Sequence, residues 1–148
     1  MKKTDFSATL SLVLTVIAAV CLVGLCVLMP WLADWYYADL RGLPQVADVV
    51  TVTYYLCVPV AATAIYFLAR LLINIRAGSV FTGRNVSMLR GLSWCCVAAA
   101  LITAVAGCWY LPLLIIFAAA GFMAIILRVV KNAFEAAVQI KSENDLTI

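Results

Sequence analysis

The sequence contains no histidine. That removes the commonest general base and the commonest zinc, copper and haem ligand. Charge is scarce too: 11% of the 148 residues are Asp, Glu, Lys or Arg, where a soluble domain carries about a quarter. With 67% of residues apolar, a small water-soluble core could not hide them all, so the bilayer must solvate much of the chain. No CxxC occurs. The cysteines Cys21, Cys26, Cys57, Cys95, Cys96 and Cys108 lie inside or at the edge of apolar runs, where cysteine behaves as a small hydrophobe. The alternative is a disulfide between Cys26 and Cys108, both expected near the outer surface. There is no GxxxxGK[ST] loop, no HExxH and no GxSxG. No Asp, Glu, Lys or Arg lies in the middle of an apolar run, so the usual mark of proton relays and coupled transport is missing. Small multidrug exporters depend on a glutamate embedded in the first of their four helices, and the first run here has no acid. Membrane enzymes of disulfide exchange need outward-facing cysteine pairs, also missing. No enzyme activity, cofactor or metal is expected. Neutral pores and lipid or hydrophobic-peptide binding need no buried charge and stay open.

Four apolar runs are present, each near the roughly 20 residues that span a hydrocarbon core as a helix. They predict a single all-α domain over residues 1–148: an integral membrane four-helix bundle with helices at about 9–30, 49–72, 88–108 and 113–130 and a tail over 131–148. The first run is longer than a secretory h-region, and Met29-Pro30-Trp31 is a poor cleavage context, so it reads as a helix rather than a signal peptide. Pro30 is expected to end it. The loop that follows holds Trp31, Trp35, Tyr36 and Tyr37, suited to the headgroup level. A short helix over Leu32 to Leu40 is expected there, broken at Gly42 and Pro44. Pro59 lies inside the second helix, where a membrane protein tolerates it. In the third, Cys96, Ala99, Ala100, Thr103 and Gly107 form one stripe of small residues that lets another helix approach, and Ala120 and Ala124 are a similar pair in the fourth. The tail reads as a C-terminal amphipathic helical extension. Val130, Phe134, Ala137 and Val138 form its apolar stripe, with Lys131, Glu135 and Lys141 largely off it. It either continues the fourth helix out of the bilayer or lies on the membrane surface.

Between the second and third helices stands RLLINIRAGSVFTGRNVSMLR, with Arg70, Arg76, Arg84 and Arg90 and no acid. Gly78 is a helix stop and Thr82 an N-cap. Val80 and Phe81 are apolar in a basic loop, which places them in the headgroup region. Positive charge also sets orientation. Lys2 and Lys3 head the chain, Arg128, Lys131 and Lys141 follow the fourth helix, and the two other loops hold one arginine between them. Both termini and the basic segment are therefore expected in the cytoplasm. The bland reading of the basic loop is orientation and contact with anionic lipid. The sharper one docks Glu143 or Asp145 onto Arg76, Arg84 or Arg90 as a weak clasp that a partner can open.

The pattern Gly78-x-Val80-Phe81-Thr82-x-x-Asn85, then Leu89-Arg90 and Ser93-Trp94-Cys95-Cys96, resembles the central signature of a bacterial membrane family known as domain of unknown function 2975. The terminal ENDLTI resembles that family's closing motif. The resemblance implies four membrane helices, no established activity, and a frequent genomic neighbour, a small Cro-type helix-turn-helix regulator.

The reading that follows is a non-enzymatic, multi-pass protein of the bacterial inner membrane with a sensory or regulatory role. Its partners are the lipid bilayer and a cytoplasmic regulator protein, with no direct contact to nucleic acid. The candidate interaction surface is Arg76, Phe81, Thr82, Asn85, Arg90, Glu143, Asn144 and Asp145. The alternative is a small transporter, pore or immunity-type component that forms a homo-oligomer through its small-residue stripes, and a third reading is a structural subunit of a larger membrane complex.

Overall fold

A computed structural model describes the backbone of residues 2–78 and 80–145, and the side chains of the same residues except 2–8, 38–40 and 145. Its elements are α1 (Lys2–Ala33), a π-helical segment (Asp34–Leu40), α2 (Pro44–Arg76), α3 (Gly83–Gly107) and α4 (Leu113–Asp145). Each of the four α-helices is long and apolar enough to cross a membrane. They are also longer than the bilayer requires. The 33 residues of α4 extend about 50 Å at 1.5 Å per residue, against roughly 30 Å of hydrocarbon.

Pro30 does not end the first helix, contrary to expectation: α1 continues through it to Ala33. The reason is visible on α2. Proline has no N–H to give the carbonyl four residues earlier, which is Cys26. The Tyr55 hydroxyl donates to that carbonyl oxygen at 2.7 Å. Its neighbour Tyr54 donates to the Leu22 carbonyl at 3.1 Å. Two tyrosines of α2 thus seat α1, and one repairs its proline.

The other chain breaks fall where the residues predict them. Gly42 has φ +65, and Pro44 opens α2 in its first turn. The short helix expected over 32–40 is present as the π-helical turn, continuous with α1. α2 ends at Arg76, followed by Gly78 at φ +79. Thr82 is extended (φ −133, ψ 146), and its hydroxyl accepts the Asn85 N–H at 3.4 Å. With that cap α3 begins at Gly83, ahead of the residue 88 expected from hydropathy.

The bundle is antiparallel and packs in chain order: α1 on α2, α2 on α3, α3 on α4. Among the described residues α1 meets neither α3 nor α4, and α2 does not meet α4. α1 and α4 therefore form two open flanks, and both are covered in exposed apolar side chains such as Val20, Val27, Ile115 and Ile125. The small stripe of α3 faces α4. Ala100, Thr103 and Gly107 are buried, Gly107 lies directly under Leu114, and the buried Ser93 hydroxyl donates to the Ala124 carbonyl at 3.0 Å. On the α2 side Gly91 lies under Phe67, whose ring a Cβ would approach to 2.6 Å. All six cysteines are free thiols, and the Cys26 sulfur sits 3.9 Å from the Tyr54 hydroxyl. At the end opposite the basic loop, Tyr37 meets Tyr110 edge-on, ring centroids 5.6 Å apart.

Candidate interaction surface at the basic end

The basic end of the bundle gathers the last turn of α2, the turn into α3 and the last turns of α4. The turn itself is held from inside. Asn85 is fully enclosed, with 0% exposure. Its side-chain oxygen accepts from Asn74 at 2.8 Å, and its amide nitrogen donates to the Val80 carbonyl at 2.8 Å. Asn74 also contacts the Met88 sulfur at 3.9 Å. One amide thus ties α2, the loop and α3 together, and Thr82 caps the helix above it. Of the candidate residues, Asn85 and Thr82 support the surface from beneath; Asn85 has no face to offer a partner.

Phe81 is presented outward. It is 46% exposed and leans on Phe134 of α4, with ring centroids 5.6 Å apart. The next residue of α4, Glu135, comes to 3.9 Å from Arg90 and 2.7 Å from Lys131. So the loop meets the helical extension through Phe134, and α3 meets it through Glu135. The acid that Arg90 meets is Glu135, whereas Glu143 lies about 12 Å further along the helix. Arg76 ends α2 and is exposed, as are Glu143 and Asn144. The side chain of Asp145 and residues 146–148, the end of the closing motif, lie outside the described residues.

The extension is the continuation of α4, not a separate surface helix. Phe134, Ala137 and Val138 of the apolar stripe are half-buried and Lys141 is exposed, but Val130 of the stripe is exposed, and Lys131 and Glu135, expected off it, are half-buried because they pack toward α3. Residues missed by sequence reasoning complete this end. Asn74 pairs with Asn85, and the Arg128 guanidinium stacks over the Trp94 ring at 5.7 Å. Asn74 stood as a lone amide late in an apolar helix, and that lone position was the available signal. Trp94 and Arg128 fall on different helices, and only the packing reveals the pair.

A fold of four such helices with one polar, basic end defines a multi-pass membrane protein. Within that class, the model of the family described as Protein of unknown function (DUF2975) matches residues 7–148, and the chain belongs to that family. No curated protein matches the chain, and no solved structure does.

Proposed function

We propose that the protein sits in a bacterial inner membrane with both termini in the cytoplasm, and that it acts there without enzymatic chemistry as a regulatory protein. Four spans put the termini on one side, and the excess of Lys and Arg on that side supports the cytoplasm. The protein holds or releases a cytoplasmic protein on its basic end. The observation that carries this reading is the Phe81–Phe134 pair. An aromatic side chain that leans on a second ring and is still half exposed, with Arg84 exposed on the next turn, suits a partner with apolar and acidic groups. The family resemblance points to a small helix-turn-helix regulator as that partner.

The test is in-cell crosslinking from a photoreactive residue at Phe81 and, separately, at Ile140. Capture of one and the same soluble protein at both positions supports the reading. Crosslinks only to lipid or to the chain itself overturn it. The open flanks α1 and α4 favour the alternative of a small oligomeric transporter, pore or immunity-type component, and a monomer in lipid nanodiscs would remove that alternative.

A further inference from the structure

Two hollows run into one another between α3 and α4. The one toward the basic end has a volume of about 280 Å³ and is lined by Arg90, Ser93, Trp94, Arg128, Lys131 and Asn132. The other, about 250 Å³, continues toward the bilayer centre and shares Ser93 and Arg128 with the first. Its remaining walls are apolar, among them Val97, Leu101, Phe117 and Ile125. Small residues keep it open: Ala100 and Ala124 form the floor, and a Cβ built on Gly121 meets nothing within 4 Å.

The charges do not balance in the polar hollow. Arg90, Arg128 and Lys131 bring three cations, and Glu135, paired with Lys131 and Arg90, brings one carboxylate. Two positive charges remain. Lys131 is held in place, its side chain only 15% exposed, and Arg128 is held by stacking on Trp94. The hollow also lies where headgroups lie. Arg128 is about 22 Å along α4 from Leu113, and it is the first charge after an uninterrupted apolar run. An anion with an apolar chain attached fits both halves at once. Soluble anions fit only the first.

We propose that the paired hollows are a site for one anionic glycerophospholipid. Its phosphate sits among Arg90, Arg128, Lys131 and Asn132, and one acyl chain lies in the groove beside Gly121. Basic pockets between membrane helices hold lipid headgroups in this way. The chain of the lipid fills space that α3 and α4 leave between them, so the lipid acts as an additional packing element at their seam. The proposal rests on the membrane placement of the helices and not on the regulatory reading.

The experiment uses the purified full chain, without any partner. After delipidation, binding of phosphatidylglycerol and phosphatidylcholine is titrated by native mass spectrometry. Phosphatidylglycerol is expected to bind in preference, at one molecule per chain. Neutralising two cations in R128Q/K131Q removes on the order of 30-fold in affinity, at about 1 kcal/mol per basic residue. The variant G121L leaves every charge in place, puts its side chain into open space and improves helix propensity, so it folds and blocks only the chain. It is expected to weaken phosphatidylglycerol binding while leaving the melting temperature of the lipid-free protein unchanged or raised. Equal binding of the two lipids overturns the proposal. So does normal binding by G121L, which would make the site a headgroup contact of no depth. Competition by millimolar inorganic phosphate also overturns it, in favour of a free-anion site. A loss of lipid binding here with intact crosslinking at Phe81, or the reverse, separates this proposal from the regulatory one.

Discussion

Replacing Asn85 by alanine tests whether the basic turn is built or merely presented. The amide is fully enclosed, accepts from Asn74 at 2.8 Å and donates to the Val80 carbonyl at 2.8 Å. Each is worth about 1 kcal/mol net, and a buried group left without its partner costs about 1–3 kcal/mol. Asn74 is only half-buried and keeps the Met88 contact, so its amide loses little. The expected destabilisation is about 2–4 kcal/mol, mostly local to the turn. Two readouts are needed. Reversible unfolding in bicelles gives the free energy. Limited trypsin digestion at Arg76 and Arg84 reports opening of the loop between them, which precedes global unfolding where local stability is low. N85A should be cut faster at both sites. F81A should not, because Phe81 is half exposed and its contact with Phe134 is worth roughly 0.5–1.5 kcal/mol. If N85A unfolds within about 0.5 kcal/mol of the wild type and is cut no faster, the amide network is not what fixes the turn, and Asn85 returns to the list of contact residues.

Four further outcomes follow from the same contacts. Y55F should destabilise by about 1 kcal/mol by stranding the Cys26 carbonyl, and it should become neutral in a P30A background, where the helix regains its own donor; equal effects in both backgrounds would sink the repair argument. G91A should cost about 1–3 kcal/mol by pushing the Phe67 ring aside, and F67L should relieve most of it; a thermal melt in nanodiscs measures both. Removal of the Arg90 charge in R90Q, which leaves the Lys131–Glu135 pair in place, should change stability by less than about 1 kcal/mol, since both side chains of the Arg90–Glu135 pair are near half exposed; a larger loss would show a stronger pair than the exposure allows. A reporter fused after Ile148 that is active only in the cytoplasm is expected; activity only on the outer side would reverse the proposed orientation and with it the side on which Phe81 meets a partner.

Much of this architecture is written in one-dimensional features. The apolar runs give the four helices, and Gly42, Pro44, Gly78 and Thr82 mark turns because their backbone and capping chemistry is local. Pro30 misleads for the opposite reason. Its missing N–H reads locally as a stop, while the donor that cancels it is Tyr55, far away in sequence and on another helix. The candidate site divides the same way. Phe81 is legible as an apolar residue out of place in a basic loop. Its neighbour Phe134 is legible as part of a stripe, but nothing in either segment says that the two rings meet. Asn85 belongs to a motif whose residue types suggest a surface, yet the structure turns it inward against Asn74. A motif specifies which residues occur, and polar residues in an apolar chain are as often needed to close a turn as to bind.

The two halves of the bundle are held by different means, and this follows from the solvent. Lipid tails are as apolar as leucine, so apolar side chains gain little from leaving them for another helix. Association must come from close approach and from polar groups that have no better partner. α1 carries almost nothing of either kind on its own account. It is attached through the hydroxyls of Tyr54 and Tyr55 bonded to its backbone carbonyls, and its remaining faces stay with the lipid. α3 has both means. Gly91 and Gly107 bring α2 and α4 close, Ser93 bonds across to α4, and Asn85 bonds back to α2. α3 is therefore the helix on which the basic end depends, because it places Phe81 and Asn85 by its first turn and Arg90, Ser93 and Trp94 by its next two. Loss of the tyrosine hydroxyls should loosen α1 and leave that end in place. A combined Y54F/Y55F variant that keeps its trypsin pattern at Arg76 and Arg84 while α1 becomes accessible to lipid-phase crosslinkers would show that the two halves are separable; simultaneous loss of both would show that α1 supports the basic end through α2.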